Sequence, residues 1–227
     1  MSMEDFRALS AQWLEASLPE RYSYNFTWMG RPIIQYPQDI VALQELIWRI
    51  RPQVVLETGI AHGGSLVFSA SMLHLLGGEG RVIGIDIDIR SDNRIALDEH
   101  PMRSRIDLVE GSSISPETVK QIHEMVGGRS PLLLILDSNH THAHVLQELR
   151  AYSGLVGAGS YVVVLDTVVE VLPGHTYPDR PWGPGNSPGS AVEAFLAEND
   201  RFEVDSELES RIAITTAPGG YLRCIRD

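Results

Sequence analysis

The chain has 227 residues, 43% of them hydrophobic, and carries 30 acidic against 18 basic side chains for a net charge of −12 at pH 7. That balance repels nucleic acid and anionic membrane surfaces, so a polyanion partner is excluded, and no run approaches the roughly 20 apolar residues of a membrane span. A single cysteine, Cys224, rules out an internal disulfide, and the opening residues lack a basic n-region followed by an apolar stretch, so a single-domain cytoplasmic protein is expected.

Residues 1–36 read as a helical, aromatic cap segment ahead of a domain spanning 37–227. A helix is predicted over Pro37–Ile50, where Ile40, Leu43, Leu46, Ile47 and Ile50 follow a 3.6-residue period behind a first-turn proline. Four near-continuous apolar runs follow, Gln53–Glu57, Val82–Asp86, Leu132–Asp137 and Tyr161–Asp166, with a weaker one at Ile106–Val109. Helices are predicted between and after them at Ser65–Leu76, Pro116–Val126, Thr141–Ser153 and Pro188–Asn199, with Ser115 and Thr141 as N-caps. Apolar strands alternating with helices imply an α/β fold with a buried, mostly parallel central sheet. Beyond residue 200, Phe202–Val204, Ile212–Thr215 and Tyr221–Ile225 look like strands, the last after a Pro218-Gly219-Gly220 turn, and predict a C-terminal antiparallel hairpin.

Four of the apolar runs end in an acid: Glu57, Asp86, Asp137 and Asp166. Asp is a good turn former, but four acids on one sheet edge would gather negative charge in the crevice where ligands dock. The first acid precedes the glycine loop Gly59-Ile-Ala61-His62-Gly63-Gly64-Ser65. Ala61 stands where the dinucleotide fingerprint requires its middle glycine, and a carboxylate ahead of the loop disfavours a phosphate. Glu57, Gly59, Ala61, His62, Gly63 and Ser65 are therefore candidate contacts to a cationic nucleoside cofactor, S-adenosyl-L-methionine. Asp86 is the candidate for the ribose hydroxyls, with Asp88 the alternative, and Ser112 and Ser113 are candidates for the adenine edge.

The order Glu57-Thr-Gly-Ile-Ala-His-Gly-Gly-Ser65, Asp86, Gly111-Ser-Ser, Asp137 and Asp166 resembles the catechol-type O-methyltransferases. Arg31-Pro-Ile-Ile-Gln-Tyr-Pro-Gln-Asp39, Asp137-Ser-Asn-His-Thr-His142 and Arg180-Pro-Trp-Gly-Pro-Gly-Asn186 add a closer resemblance to the bacterial cephalosporin hydroxylase family of S-adenosylmethionine-dependent methyltransferases. The resemblance runs from about residue 22 to the C-terminus and implies a Rossmann-like class I methyltransferase. It also implies Asp137 in contact with cofactor, and His140 at the position where the catechol-type enzymes carry a basic lysine. The family's asparagine metal ligand is replaced here by Thr167.

Carboxylates at adjacent strand ends without cysteines suit Mg²⁺, held by Asp137 and Asp166 with Thr167, Glu170 or water completing the set. His140, His142 and His144, spaced by two, diverge on a helix and do not make a zinc site. Asp137 and His140 are the candidate catalytic pair, the histidine accepting the proton of an acceptor hydroxyl, with a helix cap as its alternative role. Two aromatic stretches, Tyr22–Trp28 with Tyr36 and His175–Asn186, suit either an acceptor pocket or a contact in a homo-oligomer. The expected activity is metal-assisted O-methylation of a small polar acceptor, such as a sugar of a surface polysaccharide or natural product. The alternatives are hydroxylation or methoxylation of a β-lactam, and a non-catalytic cofactor-binding subunit.

Overall fold

Ser2 opens helix α1 (Met3–Ser17): its hydroxyl accepts from the Asp5 amide while the Asp5 carboxylate accepts from the Ser2 amide, closing a capping box. The computed structural model describes residues 2–174 and 176–227, so His175 lies outside the described residues. After α1 come a 3₁₀ turn at Tyr22–Asn25, the two-residue strands β1 (Thr27–Trp28) and β2 (Arg31–Pro32), and α2 (Pro37–Ile50). Then follow β3 (Val54–Thr58), α3 (Gly64–Leu76), β4 (Arg81–Asp86), α4 (Ser91–Asp98) and β5 (Ile106–Glu110). The order continues with α5 (Pro116–Val126), β6 (Leu132–Leu136), α6 (His142–Tyr152) and β7 (Tyr161–Val164). It closes with α7 (Pro188–Glu198), β8 (Phe202–Val204), α8 (Ser206–Ile212) and β9 (Tyr221–Cys224).

Seven strands form one sheet in the order β5-β4-β3-β6-β7-β9-β8, the first five parallel and β9 antiparallel to both neighbours. This is the mostly parallel, Rossmann-like sheet with a C-terminal antiparallel pair that the apolar runs imply. Side-chain alternation splits the core in two. Val55, Val82 and Leu133 face α2 and α3 with Leu43, Leu46 and Phe68, while Val54, Leu56 and Leu134 face α5, α6 and α7 with Ile122, Leu149 and Phe195. Each such fully buried side chain contributes about 1.5–3 kcal/mol, so both faces hold the sheet flat-sided against its helices.

Helices α2 and α5 match their predicted bounds, and Ser115 accepts from the Thr118 amide as its cap. Thr141 makes no such cap bond; its hydroxyl donates to Asn139 instead. The expected strand at Ile212–Thr215 is absent. Asp205 accepts from the Leu208 amide and starts α8, which ends at Ile212 and buries Leu208 in the core. The antiparallel pair β8–β9 is therefore joined through a helix rather than by a tight hairpin.

The N-terminal segment is tied down by aromatic edges. Trp13 and Phe26 meet Tyr22 edge-on at 5.0 and 5.1 Å, and the buried Tyr36 hydroxyl bonds Ser17 at 2.6 Å. At the start of α2 the buried Asp39 accepts from Thr215, Thr216 and Tyr221, fastening the last crossover to the helix that precedes β3.

Candidate active site

Parallel register lines up the carboxyl ends of β3, β4 and β6, because β3 pairs with β4 on one side and with β6 on the other. This is the point where strand order reverses, and the crevice there is the expected ligand site of an open α/β sheet. A cavity of about 450 Å³ opens at that point, within the size range of small-molecule sites.

The glycine loop forms its floor. Gly59 has φ +88, and a Cβ there would stand 2.0 Å from the Asp137 carbonyl oxygen, so the loop crosses the end of β6 only because this residue has no side chain. Gly59→Ala is expected to lower stability by roughly 3 kcal/mol or more, read as a fall in thermal midpoint. Ala61 adopts the left-handed conformation, φ 45, at the position a dinucleotide loop gives to glycine. Gly59, Ala61, His62 and Ser65 line the cavity, whereas Gly63 does not: it turns at φ +81 to start α3 against Leu97.

Glu57 lies beneath the loop. It shares the Val55 face of β3, is fully buried, and accepts from the Ser65 hydroxyl, while its second oxygen has no partner among the described residues. Burial raises its pKa to about 7, against the smaller lowering from the Ser65 hydrogen bond. Asp86, at the end of β4, accepts from the Ile60 and Ala61 amides at 2.8 and 3.4 Å and faces the cavity; Asp88 is exposed and is not in the cavity wall. Ser112 and Ser113, beyond β5, line the far end.

Asp137 and Asp166 also line the cavity and converge there. Asp137 follows β6, and Asp166 follows β7 in the left-handed conformation, φ 55, which Asp tolerates better than most residues. His140 joins them, its Nε2 3.4 Å from Asp166 Oδ2, and donor atoms of the three side chains lie within 4.8 Å of one another. The Trp182 ring packs edge-on against His140 at 4.9 Å. Burial, then the negative charges of Asp166, Glu57, Glu148 and Asp39, hold the Asp137 pKa well above the carboxylate range. Acids crowded in this way carry an energetic penalty that a bound cation would remove.

Thr167 is not brought to this group. Its hydroxyl donates to the Pro218 carbonyl at 2.8 Å, and it is not part of the cavity wall. Glu170 is also engaged elsewhere, accepting from the Gly185 amide and the Ser187 hydroxyl at the base of the proline-rich loop. His140 thus stands where the sequence pattern pointed to Thr167. The other histidines diverge as the spacing implies: His142 bonds Ser190, and His144 bonds Ser113.

Among the described residues of the aromatic stretches, only Tyr24 and Trp182 reach the cavity; Tyr22, Tyr36 and Trp28 serve packing. Sequence reasoning missed Gln35 and Glu148. Gln35 is 5% exposed in the cavity wall with neither amide atom partnered among the described residues, and Glu148 is fully buried and accepts from Ser113 and Ser138. The Arg31-to-Asp39 motif contained the first of these; nothing in the helical pattern of 142–152 distinguished the second.

The profile of the family described as "Rhamnosyl O-methyltransferase/CmcI" matches residues 20–225. A rhamnosyl O-methyltransferase of Mycobacterium tuberculosis H37Rv is 33% identical over 203 residues, covering 86% of this chain and 77% of that protein. One from Mycobacterium leprae is 31% identical over 198 residues, covering 86% and 82%. Among solved structures, CmcI with Mg and S-adenosylmethionine is similar at a TM-score of 0.62 and 21% identity, over 89% of this chain and 77% of that one. The matched span includes the glycine loop, both terminal acids and the proline-rich loop, and the chain belongs to the rhamnosyl O-methyltransferase/CmcI family.

Proposed function

We propose that the protein is an S-adenosylmethionine-dependent, divalent-metal-assisted O-methyltransferase acting on a hydroxyl of a sugar. The observation that carries this is one cavity whose wall holds both Asp86 with Ser112–Ser113 and the converging donor atoms of Asp137, His140 and Asp166. The mycobacterial relatives, named rhamnosyl O-methyltransferases, and CmcI with Mg and S-adenosylmethionine support the acceptor and the ligands.

The residues fit both ligands. The amide of Gln35, in the cavity wall and without a partner among the described residues, is a buried polar group that a bound polar ligand would satisfy, whereas Glu57 lies beneath the loop and outside the cavity wall. Two carboxylates make a hard donor set, and Asp137 and Asp166 would hold Mg²⁺ with water. When bound, Mg²⁺ supplies positive charge that lowers the pKa of an acceptor hydroxyl. His140, braced by Asp166 and by the edge of Trp182, takes the proton that the hydroxyl loses as the methyl leaves sulfur. Tyr24 and Trp182 give flat walls for a sugar ring, with the Arg180 guanidinium stacked on Trp182 at 5.1 Å. Alignment of acceptor, methyl and sulfur by these walls supplies most of the acceleration.

An iron-dependent hydroxylation of β-lactams fits less well. Its facial triad needs two histidines and one carboxylate, whereas this group has one histidine and two carboxylates. Calorimetry with S-adenosylmethionine, with and without Mg²⁺, tests the proposal: saturable binding is expected, and its absence in both conditions would refute it. Trp182→Ala is expected to lower kcat/KM for the acceptor roughly tenfold through lost ring packing, with cofactor affinity unchanged. Steady-state kinetics with parallel calorimetry checks that separation.

A further inference from the structure

We infer that Glu148 is a positioning residue that turns the hydroxyl protons of Ser113 and Ser138 away from the cavity, so that the nucleoside end accepts an amino-substituted purine and rejects an oxo-substituted one. The inference rests on the proposed cofactor reading and adds to it the origin of base selectivity.

Ser113 follows β5 and Ser138 follows β6, so two separate strand ends bring both residues into the cavity wall. Both donate to the same oxygen, Glu148 Oε1, at 2.5 and 2.6 Å. Glu148 is fully buried on α6, and nothing about the folding of that helix requires a carboxylate there. A hydroxyl has one proton and two lone pairs. With each proton committed to Glu148, neither serine has one left to donate into the cavity.

His144 completes the polarity. Its Nε2 lies 3.0 Å from Ser113 Oγ and 3.4 Å from Glu148 Oε1. Because the Ser113 proton already points to Glu148, Nε2 carries the hydrogen and donates to Ser113. One lone pair then remains on Ser113 and two on Ser138, all acceptors. The Tyr152 hydroxyl donates to the Ser113 carbonyl and fixes the loop that presents this surface. The exocyclic amino group of adenine offers donors to it. A 6-oxo group in the same place would set oxygen lone pairs against oxygen lone pairs, leaving buried acceptors unpaired.

The test is calorimetric binding of S-adenosylhomocysteine and S-inosylhomocysteine to the wild-type protein, Glu148→Leu and Ser138→Ala. The wild type is expected to prefer the adenosyl ligand by roughly thirtyfold or more. In Glu148→Leu neither serine has a carboxylate to donate to, so both hydroxyl protons are free to point into the cavity, and the preference should fall to about threefold or less. Ser138→Ala, which removes one acceptor, narrows the ratio as well and carries the test if Glu148→Leu does not fold. A residue that merely supports the fold would weaken both ligands equally and leave the ratio unchanged, which would overturn the inference. Equal wild-type affinity for the two ligands would also overturn it while leaving the proposed function standing. Binding of neither would overturn the function and the inference together.

Discussion

Replacing Asp137 with asparagine is expected to reduce methyl transfer by at least about a thousandfold, because it removes one of the two carboxylates of the cation site. The same change is expected to raise the thermal midpoint of the ligand-free protein above neutral pH. Asp137 resists ionisation in the fold because of its burial and the negative charges of Asp166, Glu57, Glu148 and Asp39. An acid whose pKa is raised on folding costs stability once the pH is high enough to ionise it in the unfolded chain. Asparagine removes that cost. Differential scanning calorimetry of the apo forms, beside single-turnover kinetics, measures both effects; a variant that was less stable and still active would sink the assignment of Asp137 to a cation site.

Glu57→Gln is expected to show the second large effect, and its pH window can be stated. The wild-type carboxyl has a pKa of about 7 in the fold against 4.5 for the unperturbed group. Between those values the native state holds a proton that the unfolded chain has lost, so stability falls as pH rises through this window. The loss from this one group is on the order of 3 kcal/mol and is complete above about pH 7. Glutamine can keep a bond to Ser65 but cannot ionise, so the variant should be more stable than wild type at pH 8 and equal to it near pH 4. Its affinity for S-adenosylmethionine should drop about tenfold, because a cationic ligand no longer meets a carboxylate beneath the loop. Urea titrations across this pH range, paired with calorimetry at pH 8, test the two halves separately.

Much of this architecture is legible in the chain because its strands are continuous apolar runs. Such runs announce burial on both faces, and five of them separated by helical patterns leave few topologies besides a parallel sheet. Helix α2 was readable to the residue, since its proline start and apolar period coincide. Helix α8 was not: Ile212–Thr215 looks like a strand, and only the Asp205 cap and the burial of Leu208 favour the helix before it. Helix α1 is started by its Ser2 capping box, whereas α4 has no side-chain N-cap and is held by the burial of Asn93 and Leu97.

The site divides in the same way. The acids at 86, 137 and 166 were visible because each closes an apolar run, and parallel register then carries them to one edge. His140 could be named but not placed, because its partner Asp166 comes from the next strand over. Thr167 was the natural third ligand by position, yet the left-handed turn at Asp166 sends it towards Pro218. Glu148 was hidden altogether. On an amphipathic helix a glutamate reads as a solvent-facing residue, and only the approach of two serines from other strands makes it a buried acceptor.

Transfer of an isotopically labelled methyl group from S-adenosylmethionine to an alkyl rhamnoside measures the proposed activity itself. Label on a sugar hydroxyl is expected with Mg²⁺, falling by about a hundredfold or more in excess chelator and returning when Mg²⁺ is restored. Transfer that continued undiminished in chelator would contradict the metal's part in the account. Tight cofactor binding without transfer to this or any other sugar hydroxyl would contradict the account as a whole.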